Sequence, residues 1–233
     1  MSDHIVTAFD DDLIHIQAKI AEMGGLAEEQ LSKALEAVRL GDAALAEQVI
    51  QMDERLDELE FEVEEAATTT IALRQPMAND LRVVISALKI ASTLERIGDL
   101  AKNISKRALT FSNKRPGRIT LSITAMGEKT LAQLSSVLDA YSSKNTDQAV
   151  AVWRKDVEID EMYNAIFREV VTYMMEDNRT IGLGSQLLFI AKNLERIGDH
   201  TTHVSEMIYY IVEGKPLGDD RPKGEPHGLD IEG

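Results

Sequence analysis

The sequence has no cysteine, one tryptophan, five prolines and an aromatic content of 5% over 233 residues. The absence of cysteine excludes disulfides, zinc–thiolate sites, iron–sulfur clusters and thiol catalysis, and leaves any metal to oxygen and imidazole ligands. With so few aromatics, the core has to be built from aliphatic side chains and alanine. Basic residues are also scarce: 25 Lys and Arg against 40 Asp and Glu give a net charge of −15, with a pI near 4.8. Nucleic-acid binders cluster Lys and Arg against the phosphate backbone, so DNA and RNA are excluded as default partners. No apolar run approaches the roughly 18 residues of a membrane span. The start, MSDHIVTAFDDD, lacks the basic and apolar regions of a secretory signal, and the expectation is a cytoplasmic chain. There is no G-x-G-x-x-G, P-loop, H-E-x-x-H or nucleophile–base pair, so nothing announces an enzyme.

What is present is helical periodicity. Proline inside a helix costs on the order of 3 kcal/mol, and the prolines stand at Pro76, Pro116, Pro216, Pro222 and Pro226. The stretches between them are free to be long helices. Leu40-Gly41-Asp42, the pair Asn145-Thr146 and Asn178-Arg179-Thr180 supply further breaks and N-caps, which makes six helices. Leu45, Val49, Met52, Leu56, Leu59, Val63, Ala66, Thr70 and Leu73 alternate steps of four and three, a seam no strand would show. Asp42 to Arg74 as one helix would run about 50 Å, suited to an elongated bundle. A second seam runs from Val83 to Phe111 and a third from Leu187 to Ile211. After Glu213 the text becomes GKPLGDDRPKGEPHGLDIEG, too polar and glycine-rich to offset its ordering entropy. Residues 214–233 are expected to be a disordered tail, and His227 within it is given no role.

The chain also repeats itself. MGGLAEEQLSKALEA from Met23 matches MGEKTLAQLSSVLDA at an offset of 103, and LKIASTLERIGD from Leu88 matches LFIAKNLERIGD at an offset of 100. The difference of three fits a shorter loop before the last helix. The predicted fold is therefore all-α: two tandem three-helix bundles related by internal duplication, residues 1–112 and 117–213, joined through Ser112-Asn113-Lys114-Arg115-Pro116-Gly117. Gly98 and Gly198, in the middle of predicted helices, need a reason such as close approach of a neighbouring helix, since glycine there costs roughly 1 kcal/mol.

Carboxylates recur with the duplication. Within the two LERIGD strings, Glu95 with Asp99 and Glu195 with Asp199 stand at i and i+4, on one helix face. The middle helix of each copy repeats the arrangement with Asp53 and Asp57, and with Asp156 and Asp160, beside the apolar seam. If the two helices are neighbours, four carboxylates per copy converge on one groove. Helical acids are most often a solvated face; their recurrence in both helices of both copies points instead to a cation. Oxygen ligands suit Mg²⁺, Ca²⁺, Mn²⁺ and oxidised iron, and a nearby histidine adds zinc. His203 and its counterpart Asn103 are candidates either to ligate or to hold water and hydrogen bonds around an ion. Arg96 and Arg196 alternate with the acids, but a side chain one residue along points about 100° away, toward an interface. Trp153 and the Met174-Met175 pair are read as core or interface residues. The segment Leu73 to Arg82 places Pro76 at a helix start, flanked by Arg74 and Arg82.

With LRQPMANDLR, NLERIGDH and the duplicated E-x-x-x-D pattern, the chain up to the tail resembles the PhoU family. The resemblance implies two tandem three-helix bundles, often dimeric, that are not enzymes and bind metal ions through E(D)-x-x-x-D motifs. Carried over, the metal residues are Asp53, Asp57, Glu95, Asp99, Asp156, Asp160, Glu195 and Asp199, with iron, zinc, manganese or magnesium as the ion. It further implies a regulator that damps phosphate-starvation signalling when phosphate is plentiful, bridging a phosphate ABC transporter and a membrane sensor histidine kinase. That would place the chain at the membrane only through those partners. The alternative from the residues is a di-iron-carboxylate enzyme or metal store, although its Glu-x-x-His pair is lacking beside either LERIGD.

Overall fold

The computed structural model describes residues 2–111 and 119–218; the expected connection and nearly all of the expected tail lie outside them. Among the described residues the chain is all-α with no strand. Helices α1 (Ser2–Leu40), α2 (Ala43–Arg74) and α3 (Asn79–Leu109) pack on one another, and α4 (Ile119–Ser143), α5 (Thr146–Lys155), α6 (Val157–Glu176) and α7 (Ile181–Glu213) do likewise. α5 and α6 follow one another as a single rod interrupted at Asp156, so the architecture is six rods.

Local chemistry explains most boundaries. Gly41 adopts φ +67°, and Asp42 caps α2 by accepting the Leu45 N–H at 3.1 Å. Asn145 does the same for α5, accepting the Gln148 N–H at 3.1 Å. Two expectations are corrected. Pro76 lies in the loop, not at a helix start: α2 ends at Gln75 in the left-handed region (φ 48°), and α3 begins only at Asn79. The residue that caps before α7 is Asp177, whose carboxylate accepts the Arg179 N–H at 3.0 Å and turns residues 178–180 into a short 3₁₀ helix. The two hairpin loops, residues 75–78 and 177–180, are equal in length. The second copy is shorter instead by two residues in the helix leading to its LERIGD and by one at the end of α6.

The second and third seams are buried along most of their length, and one continuous aliphatic core runs through both copies. Full burial of each Leu or Ile stabilises by roughly 1.5–3 kcal/mol. The α2 seam drifts: Ala67 rather than Ala66 is fully buried, Leu73 is 69% exposed, and Asp53 falls within the buried stripe. A strict alternation of four and three has a period of 3.5, which slips against the 3.6 of a straight helix.

The copies join through α1 against α4 and α3 against α7. At the first contact the packing is reciprocal. A Cβ at Gly24 would meet Leu138 Cδ2 at 2.6 Å, and one at Gly127 would collide with Leu35. Gly24 and Gly127, like Leu35 and Leu138, are related by the 103-residue offset, so each copy inserts the same leucine over the same glycine of the other. α3 and α7 run antiparallel: Arg107 Nη1 donates to Gln186 Oε1 at 3.0 Å and lies 4.1 Å over the Phe189 ring, while Arg82 covers Tyr210 at 5.5 Å near the opposite end. The duplication has thus become a pseudo-twofold.

Candidate functional site

In the first copy, α2 and α3 bring the predicted acids together. Asp53 is 4% exposed and accepts from Lys102 Nζ, which also donates to Asp99 Oδ1 at 2.9 Å. Glu95 makes no ion pair among the described residues, and its pKa is pushed up to about 7, first by burial and then by Asp99, Glu60, Asp57 and Asp53. Asp57 is raised as well, by burial and by Asp53. Four carboxylates therefore share one field, with Glu60 as an unforeseen fifth member and Lys102 as a resident cation. The expectation that Asp53 and Asp57 lie together along the seam's margin does not hold, because Asp53 is in the core stripe and Asp57 is exposed.

The second copy treats its acids differently. Asp156 is 1% exposed and accepts from Gln133 Nε2 at 2.9 Å; the same nitrogen reaches Thr201 Oγ1 at 2.8 Å, and Thr201 Oγ1 reaches the Gly198 carbonyl at 2.8 Å. Glu195 accepts from Lys192 at 2.7 Å through Oε1, while its Oε2 is buried without a hydrogen-bond partner. Asp160 and Asp199 are half-buried on α6 and α7. His203 is exposed and faces Glu206, 3.5 Å away, whose other oxygen accepts from Trp153 Nε1 at 3.2 Å; Asn103 is exposed.

The mid-helix glycines find their reason here. A Cβ at Gly198 would sit 2.6 Å from Asp156 Oδ1, and one at Gly98 would collide with Leu56 and stand 2.7 Å from Gln30 Oε1. Glycine lets a buried polar side chain lie directly against the motif helix. Gln30 and Gln133 escaped the sequence reading, although both belong to the duplicated Q-L-S string; Gln30 is wholly buried, and neither amide atom finds a partner.

A cation would find suitable chemistry in these grooves: oxygen donors, an unpaired Glu95 held near pH 7, and an orphan oxygen on Glu195. The cage is not preformed. Among the described residues no group of three or more Asp, Glu or His side chains is arranged to hold an ion, and in the first copy an ammonium bridges two of the donors.

The motif arginines do not neutralise the acids. Arg96 and Arg196 are exposed and, among the described residues, enter no ion pair or hydrogen bond; the pKa of half-buried His200 is lowered to about 4, first by burial and then by Arg196, Arg96 and His203.

Two three-helix units interlocked about a pseudo-twofold, with acidic grooves on their motif helices, define a duplicated helical-bundle protein. Comparison with known proteins identifies it further. The PhoU domain model matches residues 20–108 and 123–208, and the chain belongs to that family. It is 49% identical over 96% of its length to the phosphate-specific transport system accessory protein PhoU homolog of Caulobacter vibrioides, covering 97% of that relative. With the homolog of Rhizobium meliloti the identity is 44%, over 95% of this chain and 94% of that one. The crystal structure of PhoU from Pseudomonas aeruginosa superposes with a TM-score of 0.86 at 34% identity, covering 89% of this chain and 100% of that one. The phosphate transport system regulatory protein PhoU from Streptococcus pneumoniae gives 0.83 at 30% identity, over 90% and 99%.

Proposed function

We propose that the chain is a regulator of phosphate uptake, a non-catalytic cytoplasmic adaptor between the phosphate ABC transporter and a sensor histidine kinase that damps phosphate-starvation signalling when phosphate is plentiful. The observation that carries this reading is similarity over nearly the full length, on both sides, to relatives named as accessory proteins of phosphate-specific transport. No helix among the described residues is long and apolar enough to cross a membrane, so contact with the membrane runs through those partners. Exposed Phe61, Leu73, Met77, Leu121 and Met175 leave apolar surface for a partner or for a second copy in a homodimer.

Cations belong to the same reading. Iron, zinc, manganese or magnesium would be held by Asp53, Asp57, Glu95 and Asp99 in the first copy and by Asp156, Asp160, Glu195 and Asp199 in the second, with Asn103 and His203 nearby. A bound ion supplies positive charge to grooves that otherwise repel an acidic partner surface.

The test is genetic and biochemical. In cells lacking the gene, a phosphate-starvation reporter should stay active at high phosphate, and the full chain should silence it while co-purifying with transporter and kinase. Failure of the folded chain to silence the reporter would overturn the adaptor role. The paired variant Glu95→Gln with Asp199→Asn isolates the cations: if elemental analysis shows the metal gone while silencing and both associations are undiminished, the ions have no part in it.

A further inference from the structure

The seam between α3 and α7 carries a pair of positive charges that the duplication itself creates. Contacts of Arg82 with Tyr210 and of Arg107 with Gln186 set the antiparallel register, and that register puts Arg96 opposite Arg196 and the turn that follows it. The same motif residue from each copy therefore meets its twin at the pseudo-twofold. Two guanidiniums brought together in a chain of net charge −15, with acids adjacent in sequence on both helices, would be expected to find carboxylate partners. They find none.

A second observation at the same seam points to a missing acceptor. Asn193 stands one turn before Arg196 on the α7 stripe that continues to His200. It is 9% exposed, and its Nδ2 is buried with no hydrogen-bond partner. An unsatisfied buried donor is destabilising, and the equivalent residue in the first copy is Thr93, whose hydroxyl satisfies itself on the Lys89 carbonyl at 2.7 Å. Asn193 is thus a departure from the repeat that leaves a donor open on α7 one turn from Arg196. The complement of these groups is a small tetrahedral oxyanion: each planar guanidinium donates to a pair of its four oxygens, and the amide donates to one of the same four.

We propose that this seam binds inorganic phosphate, with Arg96 and Arg196 as its principal ligands and Asn193 as a third donor. The choice of phosphate among oxyanions rests on the uptake-regulator reading above. His200 at the edge adds chemical discrimination, because a neutral imidazole has one nitrogen able to accept the P–OH proton that phosphate carries and sulfate lacks. The site would be shared between the copies, so that an anion at the axis ties α3 to α7.

Titration calorimetry on the full chain, freed of metal by chelation so that bound cations cannot recruit the anion, tests this. Sodium phosphate is added at ionic strength held constant with chloride, and sulfate and phenyl phosphate are run in parallel. Saturable binding of one phosphate per chain is expected. Arg96→Gln and Arg196→Gln should each weaken it roughly tenfold or more, the loss of one charge-assisted contact, and exposed Arg154→Gln should leave it unchanged. Both motif arginines are exposed, so the variants should melt with the parent, which circular dichroism checks. No saturable heat, equal affinity for sulfate, or equal loss in Arg154→Gln would overturn the proposal. A clear preference for phenyl phosphate would overturn the assignment to the free anion, assigning the seam to a phosphoryl group on another molecule. None of these outcomes touches the adaptor reading, which stands or falls on the reporter and the associations.

Discussion

The two copies share a backbone plan and a motif, and they satisfy the same buried aspartate in opposite ways. In the second, Asp156 is met from the core side by Gln133, with Thr201 completing the contact. In the first, Asp53 is met from the solvent side by Lys102, and Gln30, the counterpart of Gln133, is left buried with both amide atoms unpaired. Two adjacent positions account for the difference. Thr201 and Thr202 of the second copy are Ala101 and Lys102 in the first; the alanine removes the hydroxyl that anchors the glutamine, and the lysine replaces it with a charge. A duplicated scaffold can thus hold one carboxylate as part of the core and its twin as half of a surface-reaching ion pair. The first is committed to structure. The second can exchange its counter-ion.

The largest effect expected from that contrast is on stability. Asp156→Ala strips the buried Gln133 amide of one of its two acceptors and should cost about 2–3 kcal/mol, the penalty for an unsatisfied buried N–H plus the lost hydrogen bond. Asp53→Ala leaves Lys102 its existing pair with Asp99 and removes a carboxylate that was costly to bury, so about 1 kcal/mol or less is expected. Urea unfolding of the two variants measures both. Equal losses would mean that the hydrogen-bonded and ion-paired aspartates contribute alike, and the contrast between the copies would be one of geometry without energetic content.

Much of this contrast was legible in the sequence at the level of elements and little at the level of partners. Periodicity, Gly41-Asp42 and Asn145 placed most helix boundaries because helix caps are local chemistry. The duplicated LERIGD marked Gly98 and Gly198 as close-approach positions, and the structure supplies their neighbours, Gln30 and Asp156. The loop around Pro76 was misread because Gln75 and Ala78 take positive φ values that no local signal announces. The choice between Lys102 and Gln133 as partner to a buried acid was out of reach, since it depends on which of several long side chains happens to span between helices. Arg96 and Arg196 could be turned toward an interface by their angular position, but their meeting required the antiparallel register of α3 and α7.

A second way to sharpen the comparison is to remove the resident ammonium. If Lys102 competes with divalent cations for Asp53 and Asp99, Lys102→Thr, which installs the second copy's residue, should tighten binding of Mn²⁺ to metal-free protein by about tenfold, or about 1.4 kcal/mol. Titration calorimetry at low ionic strength reads this directly. Unchanged affinity would show that the ammonium is a structural partner only and that the first groove's acids do not compete for it.

The smallest expected effect is on the pH dependence of stability, and it separates the groove from the seam. Glu95 has its folded pKa near 7, above the usual carboxylate value, so the unfolded chain gives up this proton first. The stability it supports is complete below about pH 4.5 and declines as pH rises to 7. His200 has the opposite sign: with a folded pKa near 4 against an ordinary 6.5, its contribution is intact above pH 6.5 and is lost as pH falls toward 4. Between pH 4.5 and 6.5 the two oppose each other in the parent protein. Glu95→Gln removes one of them, and because Glu95 is half-buried and screened, about 1 kcal/mol is expected at pH 7. The metal-free variant should melt about 2–4 °C above the parent there and together with it at pH 4.5. A uniform shift at both pH values would show that the substitution acts through packing, and the carboxylates of the first groove would then not be raising one another's pKa.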